Sequence, residues 1–232
     1  MGWDGEIFAL QETKLDRNHL DNARRFCSAR QWNLYHGMPS PTCKKMKRGN
    51  QLGVGILSSP GLALQPVKPN SPTWTRVNAM GRVVVAKLPP SDTLPRGLWI
   101  ASVYTPLQSS PQREAFNTLF WDLVCEWDMQ TPIVMLGDWN GSFGDHQATC
   151  PLLMKLLGPG GPFADAHDLM RSEVQFTYHS DGGGTRIDRI LVNGAAQRLI
   201  VGAGWEWREW GHCPLWVKLN VKSVRVNWYP PR

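Results

Sequence analysis

The sequence predicts one α/β or α+β domain in which layered strands pack against helices, and three observations predict it. Short apolar runs, β-branched or alternating, are each closed by turn residues, as strands are. Amphipathic stretches with helical spacing lie between them. No internal repeat and no linker-like segment divides the 232 residues, so 1–232 read as a single domain. Hydrophobic residues make up 42% and charged residues 19%, which suits a substantial core and argues against a disordered chain.

The strand candidates, in order, are 7–10 (Ile-Phe-Ala-Leu), 52–58, 82–88, 98–104, 133–136, 187–192 and 215–219. The run 52–58 alternates and reads as half-buried, whereas 82–88 is β-branched. The run 133–136 stops at Gly137. The clearest helix spans 111–129, with Ser110 as its cap and Pro111 at its first position. Phe116, Leu119, Phe120, Leu123, Val124 and Trp127 form its single apolar stripe. A weaker helix covers 18–31, with Leu20, Ala23 and Cys27 inward, and a short one covers 151–157. Segment 38–50, carrying Lys44, Lys45, Lys47 and Arg48, reads as an exposed loop, with contact to a phosphate backbone as its functional alternative.

Composition narrows the class of partner. A net charge of +6 and a pI near 9.2 suit a polyanion. No apolar run reaches the ~18 residues of a membrane span, and Met1–Glu6 lack the basic start and apolar centre of a secretory signal. Five cysteines (Cys27, Cys43, Cys125, Cys150 and Cys213) are an odd number without a CxxC pair, so a reduced, intracellular compartment is expected. Twelve tryptophans serve chiefly as core, with a few available for base stacking.

Acidic and amide residues collect at the strand ends, where an α/β scaffold presents chemistry. Glu12 follows the first run, Asp138 and Asn140 follow Gly137, Asp188 lies in the run opened by Arg186, and His212 precedes the last run. Taken singly, each reads as a cap or turn residue; the ordered set is the stronger signal.

That set resembles the endonuclease/exonuclease/phosphatase superfamily. Leu10-Gln11-Glu12-Thr13-Lys14 resembles its LQET motif, Tyr104-Thr105-Pro106 its Y-x-P strand end, and Gly137-Asp138-Trp139-Asn140 its GDFN motif. Phe176-Thr177-Tyr178, Arg186-Ile187-Asp188-Arg189-Ile190-Leu191 and Gly211-His212-Cys213-Pro214 resemble its closing segments. Segments 103–116 and 186–192 look most like the apurinic/apyrimidinic-type endonuclease domain of non-LTR retrotransposons. The resemblance implies a four-layer α/β sandwich, two packed and mainly antiparallel sheets flanked by helices. It implies a Mg²⁺-dependent phosphodiesterase, with Mn²⁺ as substitute, that nicks one DNA strand and leaves a 3′-hydroxyl.

The resemblance makes Glu12 the metal ligand and Asp138 the group that positions or deprotonates the attacking water. Asn140 holds that group or a phosphate oxygen, and Tyr104 donates to the phosphate. His212 contacts a non-bridging phosphate oxygen, and Asp188 orients His212. The remaining five histidines read as surface or satisfied residues. DNA is the expected partner, with a reverse transcriptase domain of the same polyprotein as a second one. Membrane contact and an obligate oligomer are not expected, and the nucleus is the expected place of action.

Two departures shape the alternatives. Only eleven residues precede Glu12, so the family's first N-terminal strand, which ends in Asn, is expected to be missing. Gly211 stands where the closing motif has Asp, which removes a carboxylate. The alternatives are therefore a degraded, non-catalytic copy of the domain and a phosphatase of the same fold.

Overall fold

The β-branched run near residue 85 and the run ending at Tyr104 lie side by side at the centre of a six-stranded sheet. A computed structural model describes residues 6–15, 17–37, 53–62, 64–143, 149–180, 183–207, 209 and 211–221. In chain order its first elements are β1 (Ile7–Leu10), α1 (Arg17–Ser28), β2 (Asn33–Gly37), β3 (Val54–Ser58), β4 (Gln65–Pro66), α2 (Pro72–Ala79), β5 (Val83–Leu88) and β6 (Leu98–Tyr104). Then come α3 (Arg113–Cys125), β7 (Ile133–Asp138), α4 (Pro151–Leu157), β8 (Phe163–Asp165), α5 (Ala166–Leu169), β9 (Tyr178–Ser180) and β10 (Gly183–Thr185). The last are β11 (Asp188–Asn193), α6 (Gly194–Gln197), β12 (Ile200–Trp205), β13 (Gly211–His212) and β14 (Leu215–Leu219). The basic segment 38–50 lies outside the described residues.

The large sheet runs β4-β5-β6-β7-β11-β8, with β6 and β7 parallel and every other pair antiparallel. Along β5, Val83 and Val85 face one core while Val84 and Ala86 face the other, as alternation requires. The first core packs the sheet against α2, α3 and α4 through Trp74, Phe116, Phe120, Leu123 and Leu153. The second packs its other face against β3, with Val54 and Ile56, and against β14. Helix α1 lies against β2 and buries Leu20. Layers of helix, sheet, sheet and helix make the expected α/β sandwich.

Several boundaries differ from the sequence reading, each for a local reason. Helix α3 begins at Arg113 rather than Pro111, because Ser110 caps a turn instead of the helix: Ser110 Oγ accepts from Gln112 N at 3.3 Å, and Arg113 N donates to Ser110 O at 3.0 Å. It ends at Cys125, and Trp127 N closes a tighter turn on Val124 O at 3.1 Å, which keeps Trp127 on the apolar stripe. Helix α1 stops at Ser28 because Gln31, at φ 61°, turns the chain left-handed. Strand β7 does not stop at Gly137 but runs on through Asp138. A Cβ at Gly137 would lie 2.4 Å from Val103 O, so glycine is what lets these strands approach. Strand β3 is more buried than the half-buried expectation: Val54 and Ile56 pack into the second core, and on the other face Gly55 is buried while Leu57 is partly exposed.

The second sheet layer is split. Among the described residues β1 pairs only with β3, and β14 only with β12. Ile7, Phe8 and Ala9 on one side and Leu215 on the other border one cleft, which Leu136 and Ile190 of the large sheet also line. Among the described residues no strand fills this gap.

Candidate active site

The cleft between the split strands ends in polar side chains delivered by five strand ends. Tyr104 is the last residue of β6, and its Oη donates to Glu12 Oε1. Glu12 lies two residues past β1 at φ 47°, a conformation that disfavours non-glycine residues. Asp138 ends β7 and lies directly opposite Asp188, the first residue of β11. Thr177 Oγ1 accepts from the backbone N–H of both Ile187 and Asp188, at 3.0 and 2.9 Å, and so fixes how β11 begins. His212 Nδ1 lies 2.9 Å from Asp188 Oδ2 and 3.1 Å from Oδ1. The Tyr178 ring packs against the imidazole, 4.8 Å between centroids.

Asn140 is the second left-handed residue at the site, at φ 45°. Its N–H donates to Asp138 Oδ1 at 2.8 Å and its Nδ2 to Thr105 O at 2.8 Å, so it braces the loops after β6 and β7. Gln11 Nε2 donates to Ser102 Oγ, and that hydroxyl donates to Leu10 O, which pins the end of β1 to β6.

Crowded carboxylates set the electrostatics. Burial, then the facing Asp188, push the Asp138 carboxyl up to about 7; the Asn140 N–H and His212 act in the opposite direction. The hydrogen bond to Asp188 raises the His212 imidazole above its usual range. Burial, then the Glu12 contact, raise the Tyr104 phenol. Asp138, Asp188 and His212 offer ligand atoms that all lie within 4.8 Å of one another. Glu12 is outside that closest trio but lines the same cleft, of about 370 Å³, with Asp138, Asp188 and His212. Three carboxylates converging on one concavity suit a hard divalent cation, whose charge would offset their mutual repulsion.

All six residues singled out in the sequence thus belong to one region: Glu12, Asp138, Asp188 and His212 on the cleft, Tyr104 bonded to Glu12, and Asn140 bonded to Asp138. Thr177 is a supporting residue that the sequence reading quoted within a motif without giving it a role. Gly211 adopts φ 76°, a left-handed conformation suited to glycine. Of the other histidines, expected to be surface or satisfied residues, two are hydrogen-bonded through Nε2: His167 is fully buried, with Nε2 2.9 Å from Gly204 O, and His36 is half-buried, 2.5 Å from Thr13 Oγ1.

Residues 3–209 match the model of the Endonuclease/Exonuclease/phosphatase family. The chain belongs to that family. Among solved structures, the catalytic domain of APE2 from Xenopus laevis matches 97% of this chain and 86% of its own length, with a TM-score of 0.64 at 17% identity. The 3′ phosphatase NExo from Neisseria, bound to a product DNA hairpin, matches 92% of this chain and 88% of its own length, with a TM-score of 0.59 at 16% identity. An endonuclease/exonuclease/phosphatase family protein from Leptotrichia buccalis matches 92% and 86%, with a TM-score of 0.59 at 12% identity. No curated protein matches the chain. At these identities the structural likeness establishes the fold. The endonuclease/exonuclease/phosphatase family generally uses divalent metals, and Asp138, Asp188 and His212 form a candidate acidic site for one.

Proposed function

We propose that this chain is a Mg²⁺-dependent phosphodiester hydrolase that nicks one strand of DNA and leaves a 3′-hydroxyl. The observation that carries the reading is the convergence of Asp138, Asp188 and His212 within 4.8 Å, beside the bonded pair Tyr104 and Glu12. Asp138 is the general base: a carboxyl near 7 accepts a proton from water at neutral pH, where an ordinary carboxylate is a weak base. His212, kept protonated by Asp188, donates to a non-bridging phosphate oxygen and offsets its developing charge. Tyr104 donates to the phosphate once Glu12 is otherwise engaged, and Asn140 keeps the Asp138 carboxylate aimed. Glu12, the most exposed of the three carboxylates, would hold the divalent ion, which supplies charge neutralisation of the phosphate. The net charge of +6 supports a nucleic-acid substrate. The retrotransposon-like segments 103–116 and 186–192 favour a nick whose 3′ end primes reverse transcription.

Phosphatase action at a DNA 3′ end is the second reading, favoured by the likeness to NExo. Supercoiled plasmid incubated with protein and Mg²⁺, with nicks then extended by a polymerase, separates the readings. Extendable nicks, reduced ~10²–10⁴-fold by Asp138→Asn, are expected. Intact plasmid with phosphate released from a 3′-phosphorylated oligonucleotide would establish the phosphatase instead. Equal background in wild type and Asp138→Asn on both substrates would leave a non-catalytic domain.

A further inference from the structure

Arg113, the first residue of α3, is 7% exposed, and among the described residues no carboxylate pairs with its guanidinium. Five neutral acceptors surround it instead. Nη1 donates to Thr105 Oγ1 at 2.9 Å, to Pro106 O, and weakly to Asn140 O at 3.4 Å. Nη2 donates to Trp139 O at 3.0 Å and to Cys150 Sγ at 2.8 Å. These acceptors lie on three segments: the loop after β6, the loop after β7, and the cap of α4. Burying a cation among neutral groups is costly unless its donors are used, and a planar fork can use most of them at once.

The arrangement reaches the site through a single peptide group. The Trp139 carbonyl accepts from Arg113, and the N–H of that same peptide, on Asn140, donates to Asp138 Oδ1 at 2.8 Å. The carbonyls on both sides of Asn140 point at one guanidinium. Asn140 is thereby held at φ 45°, which an unrestrained asparagine seldom adopts. Tyr104 immediately precedes Thr105, whose hydroxyl is bound by the same group.

We propose that Arg113 is a positioning residue: from behind the cleft, and without touching substrate, its guanidinium locks the two loops that aim Tyr104, Asp138 and Asn140. Only the kinetic part of this inference rests on the phosphodiesterase reading; the mechanical part stands apart from it. Lysine keeps the charge but offers a single ammonium that cannot span three segments.

In Arg113→Lys, kcat for plasmid nicking should fall ~10²-fold, the size expected of a small misplacement of reacting groups, with KM nearly unchanged. Hydrogen exchange followed by mass spectrometry should quicken over 105–107 and 138–141 and stay as in wild type over β3. The milder Thr105→Val removes one acceptor and should give a smaller kcat loss with faster exchange at 105–107 alone; it carries the test if Arg113→Lys fails to fold. Wild-type kcat and wild-type exchange in both variants would overturn the proposal. So would exchange that quickens across the whole sheet, since Arg113 would then be a stability residue only. If the wild type cleaves no phosphodiester, the functional reading falls while the exchange pattern still decides the role of Arg113.

Discussion

The two halves of the cleft are built to different standards. Tyr104 and Asp138 ride on β6 and β7, neighbours inside a six-stranded sheet with an apolar core on each face, and each is 4% exposed. Glu12 follows β1, which has one partner strand among the described residues, and His212 lies in the two-residue β13; their side chains are 43% and 47% exposed. The half proposed to move a proton is thus the rigid one, and a general base depends on fixed geometry. The half proposed to meet the ion and the phosphate is open, which suits groups that must admit and release what they bind.

The largest expected effect tests that contrast by stability. Phe120 is fully buried, stacked on Phe116 at 5.5 Å between centroids and edge-on to Trp127 and Trp139 at 6.2 Å each. Phe120→Ala should cost about 3–5 kcal/mol, as removal of a buried aromatic does. Val217, only partly buried on β14 beside the gap, should cost about 1 kcal/mol on change to Ala. Urea denaturation of both variants measures the difference. Similar losses would show the split layer to be as well packed as the closed sheet.

A second effect is a pH dependence centred on the rigid half. The folded Asp138 carboxyl keeps its proton to about 7, whereas unfolded it titrates near 3.8. The folded state therefore binds more protons between those values, and stability falls as pH rises through that window. The slope approaches ~1.4 kcal/mol per pH unit, for a total on the order of 4 kcal/mol. His212 adds in the same direction: its raised pKa gives stability that is complete below its unfolded value of 6.5 and lost as pH rises through the folded value. Urea midpoints of metal-free protein from pH 4 to 8 should decline, and Asp138→Asn should flatten most of the decline. A profile unchanged by that substitution would remove the premise of a perturbed Asp138.

The same contrast explains what could be read from the residues alone. Strands β1, β6 and β14 and helix α4 carry self-contained signals, an apolar run or a Pro start closed by turn residues, and the structure places them at the expected positions. Five of the six site residues stood out because they follow, lie in or precede such a run, whereas Tyr104, which closes the run 98–104, stood out only through the resemblance. Strand β12 was not legible. Its glycines interrupt the apolar pattern, yet Gly204 suits the strand because a Cβ there would lie 2.4 Å from the Trp216 indole. Strand β2 carries Asn33, Tyr35 and His36 without apolar alternation, and its pairing with β3 is a long-range fact. Helix α2 was missed although Ser71 caps it, accepting from Trp74 N at 3.0 Å, with Pro72 at its start; two buried residues made too short a stripe. The clamp made by Arg113 depends on three loops meeting, which no local pattern encodes.

The smallest expected effect lies in the open half, at Gly211. Its φ of 76° is left-handed, so Gly211→Asp should cost about 1 kcal/mol from backbone conformation alone. A Cβ there meets nothing within 4 Å, so no steric penalty adds to it. The new carboxylate would stand next to His212, on the strand that pairs with β9, and would add negative charge to a cleft that already gathers Glu12, Asp138 and Asp188. Divalent-ion affinity, followed by the thermal midpoint against Mg²⁺ concentration, should therefore rise as stability without metal falls slightly. A variant less stable by several kcal/mol would mean that the β13 segment is packed as tightly as the closed sheet, and the contrast between the two halves would fail at the position where it is easiest to test.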